Sequence, residues 1–384
     1  MKLFKTKKIK VYFIAQYKAG LDKFESVVKE MQKDDSFDVK VLAVPDDIND
    51  LEKNKDYEYW YSKFGDITID SIKNGKWYDL KKEKPDYVFI QRPYDGLVPP
   101  EYRKTTLREY TKVSYIPYGF SMVGIFDISM KPEDMESIDI IFAEHEEVNN
   151  FYQKLIDSIE DKRKRTTINL GYPALDKAKE KVDSMTSAFN KIHNKLTTNI
   201  LWTPRWTTDK YAVETSFFDY KDCMIEYAKK NSNVNLVFRP HPLTFNNFIE
   251  KKLMTKKEVK DYISKFKDNL YYDKSNEYME TFKDTDILVT DFSSIVMEFL
   301  LFNKPVVFTQ KDTYEKLEIL KTVEKVFYKV KNEKELFKVL DNLQQGIDPL
   351  KEKREELTKK LFKDYDGKVA YRIKEFIKED YKNK

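Results

Sequence analysis

The sequence predicts an α/β protein built on two doubly wound parallel sheets, and three observations carry that expectation. Short runs rich in β-branched and aromatic residues alternate with longer amphipathic, charged segments, the pattern of strand–helix units feeding a parallel sheet. The chain is 384 residues long, more than twice the ~150 residues typical of one domain, so two cores are expected. Apolar residues make up 41% of it and aromatics 15%, enough bulky surface to exclude a disordered chain.

In the first half, strands are expected at 9–15, 39–44, 87–90, 113–116, 138–143 and 167–170. In the second half they fall at 199–203, 234–238, 286–290 and 306–309, with a more weakly patterned one at 325–330. The turn Gly171-Tyr172-Pro173 closes the first series, and a charged helical stretch over 177–195 leads into the second. An N-terminal domain over 1–180 and a second over 196–350 follow. The tail, 351–384, is rich in Lys and Glu, with Leu357, Leu361, Val369, Ile373, Phe376 and Ile377 at near-helical spacing. Two helices divided at Asp366-Gly367 are expected there.

Composition excludes several classes of function. Seventy basic and 66 acidic residues leave a net charge of +4, so there is no overall basic field of the kind a nucleic acid partner requires. A single cysteine, Cys223, excludes an intramolecular disulfide and a multi-thiolate metal site, and His145, His193 and His241 are too scattered for a zinc cluster. A reducing cytoplasm fits, with no obligatory metal and no cofactor. Lysines precede the apolar run VYFIA near the start, but that run is too short for a signal peptide core. The longest apolar stretch, 295–302, is interrupted by Glu298 and is less than half of the ~20 residues a membrane span needs. Lys2, Lys5, Lys7, Lys8 and Lys10 could instead hold the protein peripherally on anionic lipid at the inner face of the cell membrane.

Only nine glycines occur, about a third of the usual share, and no GxGxxG or Walker loop is present, so any phosphate must be held by other means. Arginine is equally scarce, with nine copies. Arg92, Arg205 and Arg239 stand out because each follows a predicted strand, and in open α/β sheets ligands bind beyond the carboxyl ends of strands.

Three such strand ends carry chemistry. The segment 199–209, NILWTPRWTTD, offers Thr203, Arg205, Thr207 and Thr208, hydroxyls and a guanidinium fork suited to phosphate oxygens. In 235–244, NLVFRPHPLT, two prolines stiffen the presentation of Arg239 and His241, and rigid placement is what a charged transition state uses. In 284–308 a buried strand ends at Thr290-Asp291, Ser293 and Ser294 follow, and a helical run begins at Ile295. Free N–H groups at such a helix start can bind an anion without glycine. Glu298 lies one turn further along, where it could accept from sugar hydroxyls.

The RPHP motif and the later TDFSSIVMEFLLFNKPVVF resemble the CDP-glycerol glycerophosphotransferase family, whose members build the glycerol-phosphate polymers of teichoic acids and some capsules. GYPALD at 171–176 resembles the motif that closes the family's first domain, and YDGKVAYRI at 365–373 its C-terminal helix signature. The resemblance implies the GT-B fold: two Rossmann-like domains with the active site in the cleft between them and C-terminal helices, here 351–384, packing back on the N-terminal domain. It also implies that Arg239, His241, Ser293 and Ser294 contact the donor diphosphate and that Glu298 faces the ribose. Characterised polymerases carry a Trp-His-Gly motif whose histidine is the acceptor's base. The equivalent segment here is YIPYGF, 115–120, with Tyr118 in the histidine's place, and an ordinary tyrosine, with pKa near 10, is a poor base at neutral pH. Arg92, Asp95, Asp127 and an exposed His145 are further first-domain candidates.

The expected reaction is transfer of glycerol phosphate from CDP-glycerol to a hydroxyl of a teichoic acid-like or capsular polymer, lipid-linked, with release of CMP. Ribitol phosphate in place of glycerol phosphate stays open. So do a GT-B glycosyltransferase using a nucleotide-activated sugar and a non-catalytic envelope-assembly protein that keeps the fold without its base.

Overall fold

The computed structural model describes residues 7–48, 56–120, 131–161, 163–176, 197–208, 214–275, 278–293, 295–311 and 323–383. The chain divides into two compact units, Met1–Glu180 with Lys363–Lys384, and Lys181–Phe362.

The first unit is built on strands β1 (Ile9–Ala15), β2 (Phe37–Ala43), β3 (Thr68–Asp70), a small antiparallel hairpin β4 (Ile72–Lys73) and β5 (Lys76–Trp77), then β6 (Tyr87–Ile90), β7 (Lys112–Tyr115), β8 (Ile140–Ala143) and β9 (Thr166–Asn169). Its main sheet runs β3-β2-β1-β6-β7-β8-β9, every pair parallel. In β1, Val11, Phe13 and Ala15 enter one core while Tyr12 and Ile14 enter the other. A strand covered on both faces buries successive side chains, which is why 11–15 reads as a continuous apolar run.

The second unit carries β10 (Thr198–Thr203), β11 (Val234–Phe238), β12 (Leu270–Tyr272), β13 (Ile287–Thr290), β14 (Val306–Thr309) and β15 (Phe327–Val330), in the all-parallel order β12-β11-β10-β13-β14-β15. Strand order reverses between β10 and β13 here and between β1 and β6 in the first unit. Those reversals are the crevices where doubly wound sheets take ligands.

Three short features depart from the sequence expectation. The edge strands β3 and β12 have three residues each, and the β4–β5 hairpin has two per strand, too few for a two-residue period to register. The tail also divides differently. Helix Val369–Lys382 packs in the first unit, with Ile373 and Ile377 in its core and Lys374 and Lys378 paired to Glu30 and Asp34. Helix Lys351–Leu361, expected to pack on the first domain too, lies in the second unit. Its Arg354 is 1% exposed, donates to the Asn303 carbonyl at 3.0 Å and pairs with Asp348 at 2.5 Å. A buried guanidinium is tolerated only beside such partners, and both belong to the second unit.

No helix among the described residues is long and apolar enough to cross a membrane. Of the lysines expected to meet lipid, Lys2 and Lys5 lie outside the described residues. Lys10 instead donates its Nζ to the Glu83 carbonyl at 3.0 Å, which takes it out of any such arm.

Candidate functional site

At the reversal point of the second sheet, the loops after β10 and β13 are joined through Asp291. This carboxylate is fully buried. Its Oδ1 accepts the Arg205 N–H at 2.6 Å, and its Oδ2 accepts the Ser216 N–H at 2.8 Å and the Ser216 hydroxyl at 2.9 Å. Ser216 heads helix Phe217–Lys230 and also lies 2.7 Å from the Thr309 hydroxyl. Burial pushes the Asp291 pKa up, opposed by the hydrogen bonds from Ser216 and Arg205. The Thr203 and Thr290 hydroxyls meet at 3.1 Å, and Thr290 donates back to the Thr203 carbonyl at 2.7 Å.

The sequence assigned Thr203, Thr290 and Asp291 to substrate contact. The structure turns all three inward, at 3%, 0% and 0% exposure. With no surface left for a ligand, they position the loops that have one.

On the loops after β10, β11 and β13 stand Arg205 and Trp206, His241, and Ser293. The Arg205 Nε donates to the Thr207 hydroxyl at 2.6 Å and Nη1 to the Phe292 carbonyl at 3.0 Å, with the guanidinium 5.8 Å from the Phe292 ring centroid. His241 follows β11 and is exposed. Its ring stacks on Trp206, centroids 5.6 Å apart and planes inclined by 24°, and its Nδ1 accepts the Leu243 N–H at 3.2 Å. A ring nitrogen that accepts carries no proton, so neutral His241 bears its hydrogen on Nε2. Desolvation first, and the nearby Arg205 charge second, lower its pKa. Both effects favour the neutral ring.

Ser293 is half-buried, and its carbonyl accepts the Val296 N–H at 3.3 Å. The helix it leads into, Ile295–Phe299, is followed directly by the 3-10 turn Leu300–Phe302 and stopped by Asn303 in the left-handed region, φ 53°. Glu298 sits half-buried on this helix. Ser294 lies outside the described residues.

Arg239 departs from its assigned contact. Its Nη1 pairs with Asp273 at 2.6 Å and donates to the Ser275 hydroxyl at 3.0 Å, while Nη2 donates to the Ser275 carbonyl at 2.8 Å. Burial raises the Asp273 pKa, but hydrogen bonds from Ser275 and the Arg239 charge outweigh it, and the net shift is downward. The fork is thus spent on fixing the loop after β12.

In the first unit, Arg92 donates from Nη2 to Gln16 Oε1 and to Asp46 Oδ1, both at 2.7 Å, and lies over the Tyr17 ring at 5.2 Å. Gln91 Oε1 accepts the N–H groups of Gln16 and Tyr17, both at 2.7 Å. The Tyr118 hydroxyl lies 3.2 Å from that of Tyr94, and Lys23 sits 5.0 Å from the Tyr118 ring centroid. Desolvation and the hydrogen bond to Tyr94 raise the Tyr118 pKa well above its ordinary value. That environment moves Tyr118 away from a base and toward a hydrogen-bond donor. Asp95 accepts the Lys104 N–H at 2.9 Å and the Thr105 hydroxyl at 3.0 Å. His145, expected at the surface, is 3% exposed, with its ring 5.4 Å from that of Phe120. It directly precedes helix Glu146–Asp157, and the end of β8 carries it into the interior. Asp127 lies outside the described residues.

Sequence reasoning passed over Trp206, Asn247, Gln16 and Gln91. The two glutamines had a legible signal, since each ends a buried run on one of two adjacent strands. Trp206 and Asn247 had none, because their contacts are made across the loops. Among the described residues, no three His, Cys, Asp or Glu side chains gather as a metal site.

Comparison with solved structures gives the same two-unit architecture. The wall teichoic acid polymerase TagF matches with a TM-score of 0.65 at 16% identity, covering 98% of this chain and 90% of that one. The UDP-GlcNAc 2-epimerase of Neisseria meningitidis, bound to UDP-GlcNAc, matches with a TM-score of 0.63 at 16% identity over 96% and 100%. These likenesses establish the α/β, GT-B class of fold. In sequence, the minor teichoic acid biosynthesis protein GgaB of Bacillus subtilis is 29% identical over 115 residues, 30% of this chain but only 11% of that much longer protein. The family model for CDP-glycerol:poly(glycerophosphate) glycerophosphotransferase matches residues 130–379. That span takes in the whole reversal-point constellation of the second sheet and reaches into the C-terminal helix. The chain belongs to the CDP-glycerol:poly(glycerophosphate) glycerophosphotransferase family.

Proposed function

We propose that the protein transfers glycerol phosphate from CDP-glycerol to a hydroxyl of a teichoic acid-like or capsular polymer and releases CMP. The observation that carries this reading is the placement of Arg205 and Ser293 at the strand reversal of the second sheet, with His241 stacked on Trp206 from the neighbouring β11 loop, inside the family-matched region. In this reading the donor's pyrophosphate lies against the Nε2–H of His241, the Arg205 guanidinium and the Ser293 hydroxyl, with Glu298 toward the ribose. An acceptor hydroxyl oxygen attacks the glycerol-bearing phosphorus in line. The new O–P bond forms as the P–O bond to CMP breaks, CMP departs with the bridging oxygen, and the hydroxyl proton passes to a base or to solvent.

A departing phosphate monoester, with a second pKa near 6, is a stable anion at neutral pH. It needs hydrogen-bond donors more than a proton. A neutral imidazole that donates from Nε2 supplies such a donor in a fixed place, the kind of preorganised contact that dominates charge stabilisation in these reactions. Tyr118, with its raised pKa, is assigned to orienting the acceptor by hydrogen bonding.

The test is incubation with CDP-glycerol and a glycerol-phosphate-primed acceptor, with both products read by mass spectrometry. Growth of the acceptor by glycerol-phosphate units with matching CMP release supports the reading. The likeness to a UDP-GlcNAc epimerase favours one alternative, a nucleotide-sugar enzyme. Thermal stabilisation by UDP, with no response to CDP or CMP, would select it.

A further inference from the structure

We propose that Trp206, held by Asn247, is a positioning residue that locks the His241 ring with Nδ1 on the Leu243 N–H, so that His241 acts as a fixed Nε2–H donor and not as a proton-transferring acid. The inference rests on the transferase reading for what His241 acts upon, but not for how the ring is held.

Left to itself a histidine ring turns easily about χ2, whose preference is broad and roughly two-fold. The Nδ1 contact, at 3.2 Å and only two residues away in sequence, favours the orientation that turns Nδ1 and not Cδ2–H toward the Leu243 N–H, but only while the ring keeps its plane. The indole face holds the ring in that plane, because a ring stacked at 5.6 Å and 24° can rotate only by leaving the stack. Trp206 is itself tied down by the Asn247 side-chain amide, which donates to the Trp206 carbonyl at 2.8 Å and lies 3.5 Å from the Thr208 hydroxyl. Asn247 belongs to helix Thr244–Glu250, whose first N–H donates to the His241 carbonyl at 2.9 Å. One helix thereby grips both members of the stack. Pro240 and Pro242 restrict the backbone between them.

Two electrostatic effects compete at this ring. An aromatic face attracts a cation and would favour imidazolium. Desolvation first and the Arg205 charge second act the other way and lower the His241 pKa; Arg205, on the loop after β10, is the charged group of the described residues that acts on the ring. The neutral ring keeps its Nδ1 lone pair on Leu243. A protonated one would have to turn two donors toward each other there.

The test is NMR of the full-length chain with 15N- and 13C-labelled histidine. The chain has three histidines, and His241→Gln identifies the signal. At pH 7.5 the wild-type Nδ1 should resonate as an unprotonated nitrogen and Nε2 as a protonated one. Trp206→Ala should mix the two tautomers and move the His241 pKa up toward the ordinary ~6.5. Trp206→Phe, which keeps a ring to stack on, should restore the wild-type signals, and Asn247→Ala should fall between. With CDP-glycerol as substrate, Trp206→Ala should lower kcat about tenfold with KM little changed. A wild-type His241 protonated on Nδ1, or a Trp206→Ala chain that keeps the wild-type tautomer and pKa, overturns the proposal. Absence of turnover with CDP-glycerol would instead count against the transferase reading and leave the NMR result to decide this one. Circular dichroism confirms that each variant is folded before its signals are read.

Discussion

Asp176 caps a helix that begins almost two hundred residues later in the chain: its Oδ1 accepts the Val369 N–H at 3.0 Å and its Oδ2 the Ala370 N–H at 2.8 Å. Helix Val369–Lys382 has no capping side chain of its own. Beside this clasp, Gly171 has φ +92°, and a Cβ there would lie 2.9 Å from Val369 Cγ2. Arg372 donates to the Leu170 carbonyl at 3.0 Å and pairs with Asp366. The two sequence motifs GYPALD and YDGKVAYRI are therefore two halves of one joint, at the points where the chain leaves the first unit and where it returns.

Asp176→Ala should loosen that joint. It leaves two buried N–H groups without their acceptor, a loss of about 2–4 kcal/mol when both bonds go to a carboxylate. Hydrogen exchange should rise first at Val369 and Ala370 and then along the helix, with a lower melting temperature for the first unit. Unchanged protection at these amides would show that the helix is held by its apolar face alone.

Asp291→Ala should be worse for the fold than any substitution at an exposed site residue. The change strands the Ser216 and Arg205 N–H groups in the interior, at about 1–3 kcal/mol each. Denaturant unfolding measures the loss. CDP binding should weaken in the same variant, because Arg205 loses the anchor of its backbone. A stable variant with normal CDP affinity would contradict the positioning role.

His241→Ala should lower kcat by about 10²–10³-fold, the usual cost of removing one preorganised donor, with the fold intact because the side chain is exposed. His241→Gln, which keeps a neutral N–H, should recover part of the loss. The pH profile carries a sign. With its pKa lowered, the ring gains a proton only as pH falls below its ordinary range, so the rate should drop on the acid side and hold from pH 6.5 upward. A decline as pH rises through 6.5 would mean that the imidazolium is the active form.

Tyr118→Phe should cost less than about tenfold in kcat, because a phenol whose pKa is raised by burial and by Tyr94 is a hydrogen-bond donor at neutral pH and not a base. A loss of 10²-fold or more, within the range of acid–base catalysis, would return proton transfer to this residue.

Much of the architecture could be read without coordinates. Strands such as 9–15 and 234–238 are short apolar runs between polar helices, and burial on both faces leaves that signature whatever the surroundings. The strand-end rule pointed to the loops after β10, β11 and β13 for the same reason, since it depends only on where each run stops. Both family motifs around Gly171 and Val369 were legible as strings, although not as partners.

What escaped was direction. Thr203, Thr290 and Asp291 have the chemistry of ligand-binding groups, and only the packing of the strand ends turned them inward, Asp291 onto Ser216 and the two threonines onto each other. Arg239 has the fork of a phosphate binder, and only the arrival of the β12 loop gave that fork to Asp273 and Ser275. His145 looked polar and exposed until β8 carried it inside. The sequence by itself determined two doubly wound sheets, the order of their elements and the three strand ends that matter, because hydrophobic periodicity is a local property of the chain. Only the tertiary structure decided which polar side chain at each strand end faces solvent, because a hydrogen bond between residues 34 to 93 positions apart is made by packing and leaves no local trace.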